Sequence, residues 1–63
     1  MRRIIEGVTY RPKTTKKVTG NGVIFYPIID FTGSKVSDSY YLNDPQATRS
    51  RARTVAIKYI KNL

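Results

Sequence analysis

The chain has no cysteine, no histidine and no tryptophan, and only four acidic residues among 63. Without cysteine it can form neither a disulfide staple nor a thiolate metal site. Without histidine it lacks the commonest general base and the commonest neutral metal ligand. The four carboxylates, Glu6, Asp30, Asp38 and Asp44, fall in four separate segments, so no acid/base dyad is in sight. No G-x-x-x-x-G-K or G-x-G-x-x-G loop exists, and Gly20-Asn21-Gly22 reads as a turn rather than a phosphate cradle. Serines and tyrosines are plentiful, but no base stands ready to activate one. These absences argue against an enzyme, a cofactor and a metal site. No apolar run approaches the roughly 20 residues that span a bilayer. The segment Met1-Arg2-Arg3-Ile4-Ile5-Glu6 lacks the long apolar stretch of a signal peptide. The expectation is an intracellular protein, in the cytoplasm or nucleoid, or in the host cytoplasm if phage-encoded, with no membrane partner.

What remains is dominated by charge. Twelve lysines and arginines against four acids give a net charge of +8. A field of that sign on so small a surface favours a polyanion: nucleic acid first, an anionic membrane second and an acidic protein third. Residues 1–63 make one small domain. Chains of this size bury only about 60% of their unfolded surface, so the core must be compact or completed by a partner.

The stretch Gly22–Leu42 reads as a β-hairpin, GVIFYPIIDF then Thr32-Gly33 then SKVSDSYYL. A two-residue loop at Thr32-Gly33 sets Val23, Phe25, Pro27 and Ile29 opposite Leu42, Tyr40, Asp38 and Val36 on an apolar face suited to a core. The other face then carries Ile24, Tyr26, Ile28 and Asp30 opposite Tyr41, Ser39, Ser37 and Lys35, with Asp30 and Lys35 of opposite charge. Pro27 cannot donate to a ladder, so a bulge or a gap in pairing is expected there, with Asp38 across from it.

Residues 2–11 read as a preceding strand, with Ile4, Val8 and Tyr10 on one face and Ile5, Gly7, Thr9 and Arg11 on the other. Gly7 within it suggests a bulge or a close approach. Residues 12–22 read as a lysine-rich loop carrying Lys13, Lys16 and Lys17 and no acid. After the hairpin, Asp44 suits a helix N-cap and Pro45 the first helical position. Ala52, Val55, Ala56, Tyr59, Ile60 and Leu63 then recur at helical spacing, which predicts an amphipathic helix over residues 45–62 covering the apolar sheet face. Arg49, Arg51 and Arg53 in its N-terminal half oppose the helix dipole and form a second basic surface. The fold expected is α+β: a three-stranded antiparallel sheet, β-β-β-α, with one C-terminal helix packed on one face.

Gly7-Val8-x-x-Arg11-Pro12 resembles the first strand of the DNA-binding domain of plant ethylene-response factors. Ile28-Ile29-Asp30 followed by Gly33-x-Lys35-Val36 resembles the hairpin of that domain, and of the arm-type DNA-binding domains of phage and transposon integrases. Ala47, Ala52 and Ala56 fall where those families have an alanine-rich helix. The resemblance spans residues 7–60. It implies a sheet that enters the major groove, with Arg11 and Lys35 at basic contact positions and Ser37 where a tryptophan is usual. The departures are the missing tryptophan, Ile24, Tyr26 and Ile28 in place of arginine and tryptophan on the middle strand, and a helix that does not begin with acids.

Two readings of different class follow. In the first, the chain is a regulatory or architectural DNA-binding protein of modest sequence preference. Arg2, Arg3, Arg11, Lys13, Lys16, Lys17 and Lys35 grip phosphates, while Thr9, Tyr26, Ser37, Ser39 and Tyr41 lie against the groove. RNA is the second nucleic acid to consider, because exposed tyrosines stack on unpaired bases. In the other reading, Ile24, Tyr26, Ile28 and Tyr41 form a patch for a protein partner or a second copy, and the protein acts as an inhibitor or accessory subunit.

Overall fold

The computed structural model describes residues 1–63. Four strands, β1 (Arg3–Ile5), β2 (Val8–Thr19), β3 (Gly22–Thr32) and β4 (Ser37–Tyr41), precede one helix, α1 (Arg49–Lys61). The strands form a single antiparallel sheet in the order β1-β2-β3-β4, and the helix lies across one face. The class is α+β as expected, but the sheet has four strands, not three.

The extra strand arises at Glu6-Gly7. Both residues have positive φ, 51° and 81°, and they close a two-residue hairpin that pairs Ile5 with Val8. Left-handed turns of this length match the twist of the strands they join. The stretch 2–11 is therefore a hairpin rather than one strand, and Gly7 serves a turn rather than a bulge. The turn changes the side-chain faces. Ile5 now shares the helix-facing side with Val8 and Tyr10, and Ile4 stands on the opposite side across from Thr9, 61% exposed. Glu6 is an uncommon residue at positive φ. Replacing Glu6 with Asn, which tolerates that region, is expected to raise unfolding stability by about 0.5–1 kcal/mol, read as a higher urea midpoint at unchanged slope.

The second correction concerns residues 12–22, which are strand and not loop up to Thr19. Thr14, Thr15, Val18 and Thr19 are β-favouring, and β2 pairs with β3 without a break from Thr9↔Thr32 to Thr19↔Gly22. Both prolines fit this ladder for one reason. Phe25 exchanges both backbone hydrogen bonds with Gln46, at 2.8 Å each, so Phe25 and its β2 partner Lys16 turn their peptide groups away from each other. Pro12 and Pro27 occupy the same phase of the alternation as Lys16 and Phe25. Their missing N–H groups therefore point out of the β2–β3 ladder. No bulge forms at Pro27. Pairing with β4 instead ends at Ile28, and the Pro27 carbonyl accepts the Leu42 N–H at 2.9 Å.

The β3–β4 hairpin also turns two residues later than expected. Residues 33–36 make the connection, the Gly33 N–H donates to the Val36 carbonyl at 2.7 Å, and Ile29 pairs with Tyr40. The slip leaves every side chain on its expected face, because it shifts the pairing by an even number of residues. It does change the neighbours. Asp38 lies opposite Phe31 rather than Pro27, Asp30 opposite Ser39 rather than Lys35, and Val36 leaves the core at 46% exposed.

The helix begins at Arg49, four residues later than expected. Gln46 is held by Phe25 as a strand-like bridge, which fills the edge that β4 vacates at Pro27. Asp44 accepts the Gln46 side-chain amide at 2.9 Å instead of capping the helix. Thr48 is the N-cap, accepting from the Arg51 N–H at 3.2 Å, and Ala47 lies ahead of the helix. Ala52, Ala56 and Ile60 are fully buried, Ala56 and Ile60 against Ile29, and Pro12 and Pro27 are buried as well. The alanines let helix and sheet approach closely, so few large side chains are needed to fill the space between them. Leu63 contributes less than its spacing promised, at 42% exposed.

An aromatic row completes the core. Ring centroids lie 6.4 Å apart for Tyr10 and Phe31, 5.7 Å for Phe31 and Tyr40, and 5.9 Å for the edge-to-face pair Tyr40 and Tyr59. Burial, foremost, and the adjoining Tyr59 and Tyr10 phenols push ionisation of Tyr40 well above the usual tyrosine range. The helix's first turn reaches only as far as Thr14 and Phe25. There Arg49 donates to the Thr14 hydroxyl at 3.0 Å and lies 5.0 Å from the Phe25 ring centre. Beyond that row, β2 and β3 continue as a bare two-stranded ribbon to the turn at Gly20-Asn21. Val18 and Val23, paired near its tip, are 72% and 43% exposed.

Candidate nucleic-acid interface

The helix covers one face of the sheet, and the register orders the open face in rows. The first is Ile4, Thr9, Thr32 and Ser37. Arg11, Asp30 and Ser39 follow, then Lys13, Ile28 and Tyr41. The ribbon adds Thr15 with Tyr26, and Lys17 with Ile24. The face is thus graded from hydroxyls at the β1 and β4 end to aromatic, apolar and cationic groups at the ribbon.

Cations concentrate along β2. Arg11, Lys13 and Lys17 lie on the open face, with Lys16 on the other side of the same strand. Lys35, the one basic residue expected on the hairpin's share of this face, sits in the β3–β4 loop instead. The signal for these three cations is their spacing by even numbers of residues, at 11, 13 and 17, which puts them on one face only once that stretch is a strand. One ion pair is present, Lys13 to Asp30 at 3.9 Å, between partly exposed groups whose mutual attraction water largely screens. The other cations have no acidic partner.

The outer edge of β2 is unpaired for most of its length, because β1 covers only Val8 to Tyr10. Lys16, whose peptide groups point away from β3, presents its N–H and C=O on that edge. Such an edge invites pairing with another strand, and lysines along it discourage this. Just ahead of the start of β1, Arg2, Arg11, Lys13 and Arg53 surround a shallow hollow that Pro12 also lines. Arg53 comes from the helix and Arg11 from the sheet, so the cluster wraps around the strand edge. Arg2 and Arg53 lie apart in sequence from Arg11 and Lys13, and the fold brings them together.

The remaining candidates divide. Thr9, Ser37 and Ser39 sit together at the hydroxyl end of the open face, away from the ribbon. Ile24, Tyr26, Ile28 and Tyr41 are contiguous, in three successive rows. Arg49 is engaged by Thr14 and Phe25, while Arg51 is exposed on the helix. Arg3 stands apart on the helix-facing side. Its guanidinium donates to the Ile60 and Lys61 carbonyls at 2.9 Å each, satisfying C-terminal carbonyls that the helix itself leaves open. Arg3→Ala is expected to lower unfolding stability by about 1 kcal/mol. The loss should be read as a lower urea midpoint at unchanged slope.

No family model, curated protein or solved structure matches the chain.

Proposed function

We propose that the protein is a non-enzymatic DNA-binding protein that lays the β2 edge and the β2–β3 ribbon along a duplex, held chiefly by phosphate contacts. One observation carries this reading: Arg2, Arg11, Lys13, Lys16, Lys17 and Arg53 line a single unpaired strand edge with Asp30 the only acid among them. From Arg11 to Lys17 the strand advances about 20 Å, at roughly 3.3 Å per residue. A duplex presents one negative charge per about 1.7 Å of its axis, so several phosphates lie within that reach. The major groove is wide enough to admit a two-stranded ribbon. Outward N–H groups such as that of Lys16 add neutral donors for phosphate oxygens. The base edges themselves meet few groups able to discriminate among them, which supports modest sequence preference.

The test is an anisotropy titration with labelled duplex, single-stranded DNA and RNA at several salt concentrations. Six phosphate contacts correspond to a log–log slope of about −5 on duplex. A slope near zero, or no binding at low salt, removes the reading.

The contiguity of Ile24, Tyr26, Ile28 and Tyr41 favours a second reading, a protein partner or second copy docked on that patch. Three of the four side chains are already half-covered by their neighbours, and only Tyr41 is widely exposed. Sizing the free protein, alone and as Tyr26→Ala/Ile28→Ala, tests self-association directly.

A further inference from the structure

Tyr41 is the last residue of β4, and the sheet narrows from three strands to two beside it. The next row on the open face holds only Thr15 and Tyr26. The step at the strand end leaves a cleft of about 480 Å³ whose walls include Thr15, Lys17, Tyr26, Tyr41 and Asn43. The volume falls in the range of small-ligand sites. The two tyrosine rings stack with centroids 6.2 Å apart and planes inclined by 28°. Tyr41 is 67% exposed, so ring surface remains uncovered. The Lys17 ammonium lies 6.0 Å from the Tyr26 ring centre. No carboxylate lines the cleft.

We propose that this cleft takes the base of an unpaired nucleotide from single-stranded nucleic acid, stacked on the Tyr41 and Tyr26 pair with its phosphate at Lys17. The inference rests on the nucleic-acid reading of the β2 edge and shares Lys17 with it, but it adds an adjoining base site and a different strand state. Each component has a chemical reason. A base offers a flat π-face of about the size of a tyrosine ring, and stacking of this kind tolerates any base. An offset tyrosine pair presents such a face already oriented, so little side-chain freedom is lost on binding. Thr15 and Asn43 at the rim provide hydroxyl and amide groups for base edges. The ammonium supplies the charge that a sugar–phosphate backbone needs, and the missing acids leave nothing to repel it. Bases inside a duplex have both faces occupied by their neighbours and cannot enter. The cleft is therefore idle on intact duplex and engaged where strands are open.

Labelled ten-nucleotide oligo(dT) and oligo(rU), and a duplex of equal length, are titrated with the wild type, Tyr41→Ala and Tyr41→Phe at two salt concentrations. Tyr41→Ala is expected to weaken single-strand binding about tenfold at an unchanged salt slope, and duplex binding far less. Tyr41→Phe, which keeps the ring, should bind as the wild type does. Quenching of tyrosine emission by oligo(dT), readable in a chain without tryptophan, should fall in the alanine variant. Comparing oligo(dT) with oligo(rU) tells a deoxyribose strand from a ribose one, and dependence of either on Tyr41 supports the site. Equal loss on single strand and duplex overturns it, as does an alanine variant indistinguishable from the wild type. So does a loss that tracks a change in oligomeric state, which would make the cleft part of a protein contact. Duplex binding that is absent while oligo(dT) binding still depends on Tyr41 defeats the duplex reading and leaves this site standing.

Discussion

Replacing Lys16 and Lys17 together with alanine is expected to weaken duplex DNA binding about 60-fold at 0.1 M salt. The figure follows from two phosphate contacts, each scaling as the −0.9 power of salt, over the decade below 1 M. The same substitution should flatten the log–log salt slope by about 1.8, and the two proteins should converge as salt approaches 1 M. Both side chains are exposed on the ribbon beyond the helix, so their loss removes charge and leaves the core packing as it is. Within the molecule, the substitution gives up the approach of the Lys17 ammonium to the Tyr26 ring, a weak attraction at 6.0 Å. An unchanged midpoint in urea would confirm that folding is intact. A double variant that binds with wild-type affinity and slope would show that the ribbon does not touch the duplex, and would confine any contact to the cluster around Arg2, Arg11 and Arg53.

The largest effect on stability is expected from Ile29→Ala. Ile29 is fully buried at the centre of the sheet, against Ala56 and Ile60, with Tyr10, Tyr40 and Leu42 packed around it. Truncating a buried isoleucine costs about 2–5 kcal/mol in lost transfer energy and residual cavity. A chain of 63 residues has about 3–9 kcal/mol in total. The core that could relax around the hole is small, and its helix side consists largely of two alanines whose side chains cannot reach inward. The variant should therefore keep little or no net stability at room temperature. Loss of near-ultraviolet tyrosine dichroism alongside the far-ultraviolet signal would report this. A cooperative melt within a few degrees of the wild type would show that the aromatic row, rather than Ile29, carries the core.

Much of this arrangement is legible in the residues, and the misreadings have local causes. The alternation in Gly22–Thr32 shows which side of β3 faces inward, and an even slip in register cannot disturb that. The slip itself goes unseen because Thr32-Gly33 looks like a turn, while Val36, read as a core residue, belongs to the connection. Glu6 hides the first turn, since an acid rarely adopts positive φ and Gly7 alone looks like a defect in a strand. Charge disguises β2, where lysines separated by threonines resemble a solvated loop until β3 is available to pair with them. Asp44-Pro45 has the chemistry of a helix start, but the backbone of Gln46 is more useful at the vacant edge of β3, and Thr48 does the capping. The basic residues are visible as a set in the sequence. Their assembly into one edge is not, because Arg53 meets Arg2 and Arg11 only through the packing of the helix on the sheet.

The order of strands in the sheet is also their order along the chain, and this governs how the molecule can reach its fold. Each strand finds its partner across a connection of two to four residues, so the sheet can grow by adding the next segment to the last, with little entropy spent on closing long loops. Hairpins of this kind form in about 1–10 microseconds. The sequence-distant step is the arrival of α1 on β2 and β3, completed when Arg3 reaches the Ile60 and Lys61 carbonyls. Until then the apolar side of the sheet is wet and its hairpins are only marginally stable. Helix docking is thus expected to set the folding rate. Substitutions at Ala56 should slow refolding, while changes at the Gly20-Asn21 tip should act mainly on how fast the ribbon frays.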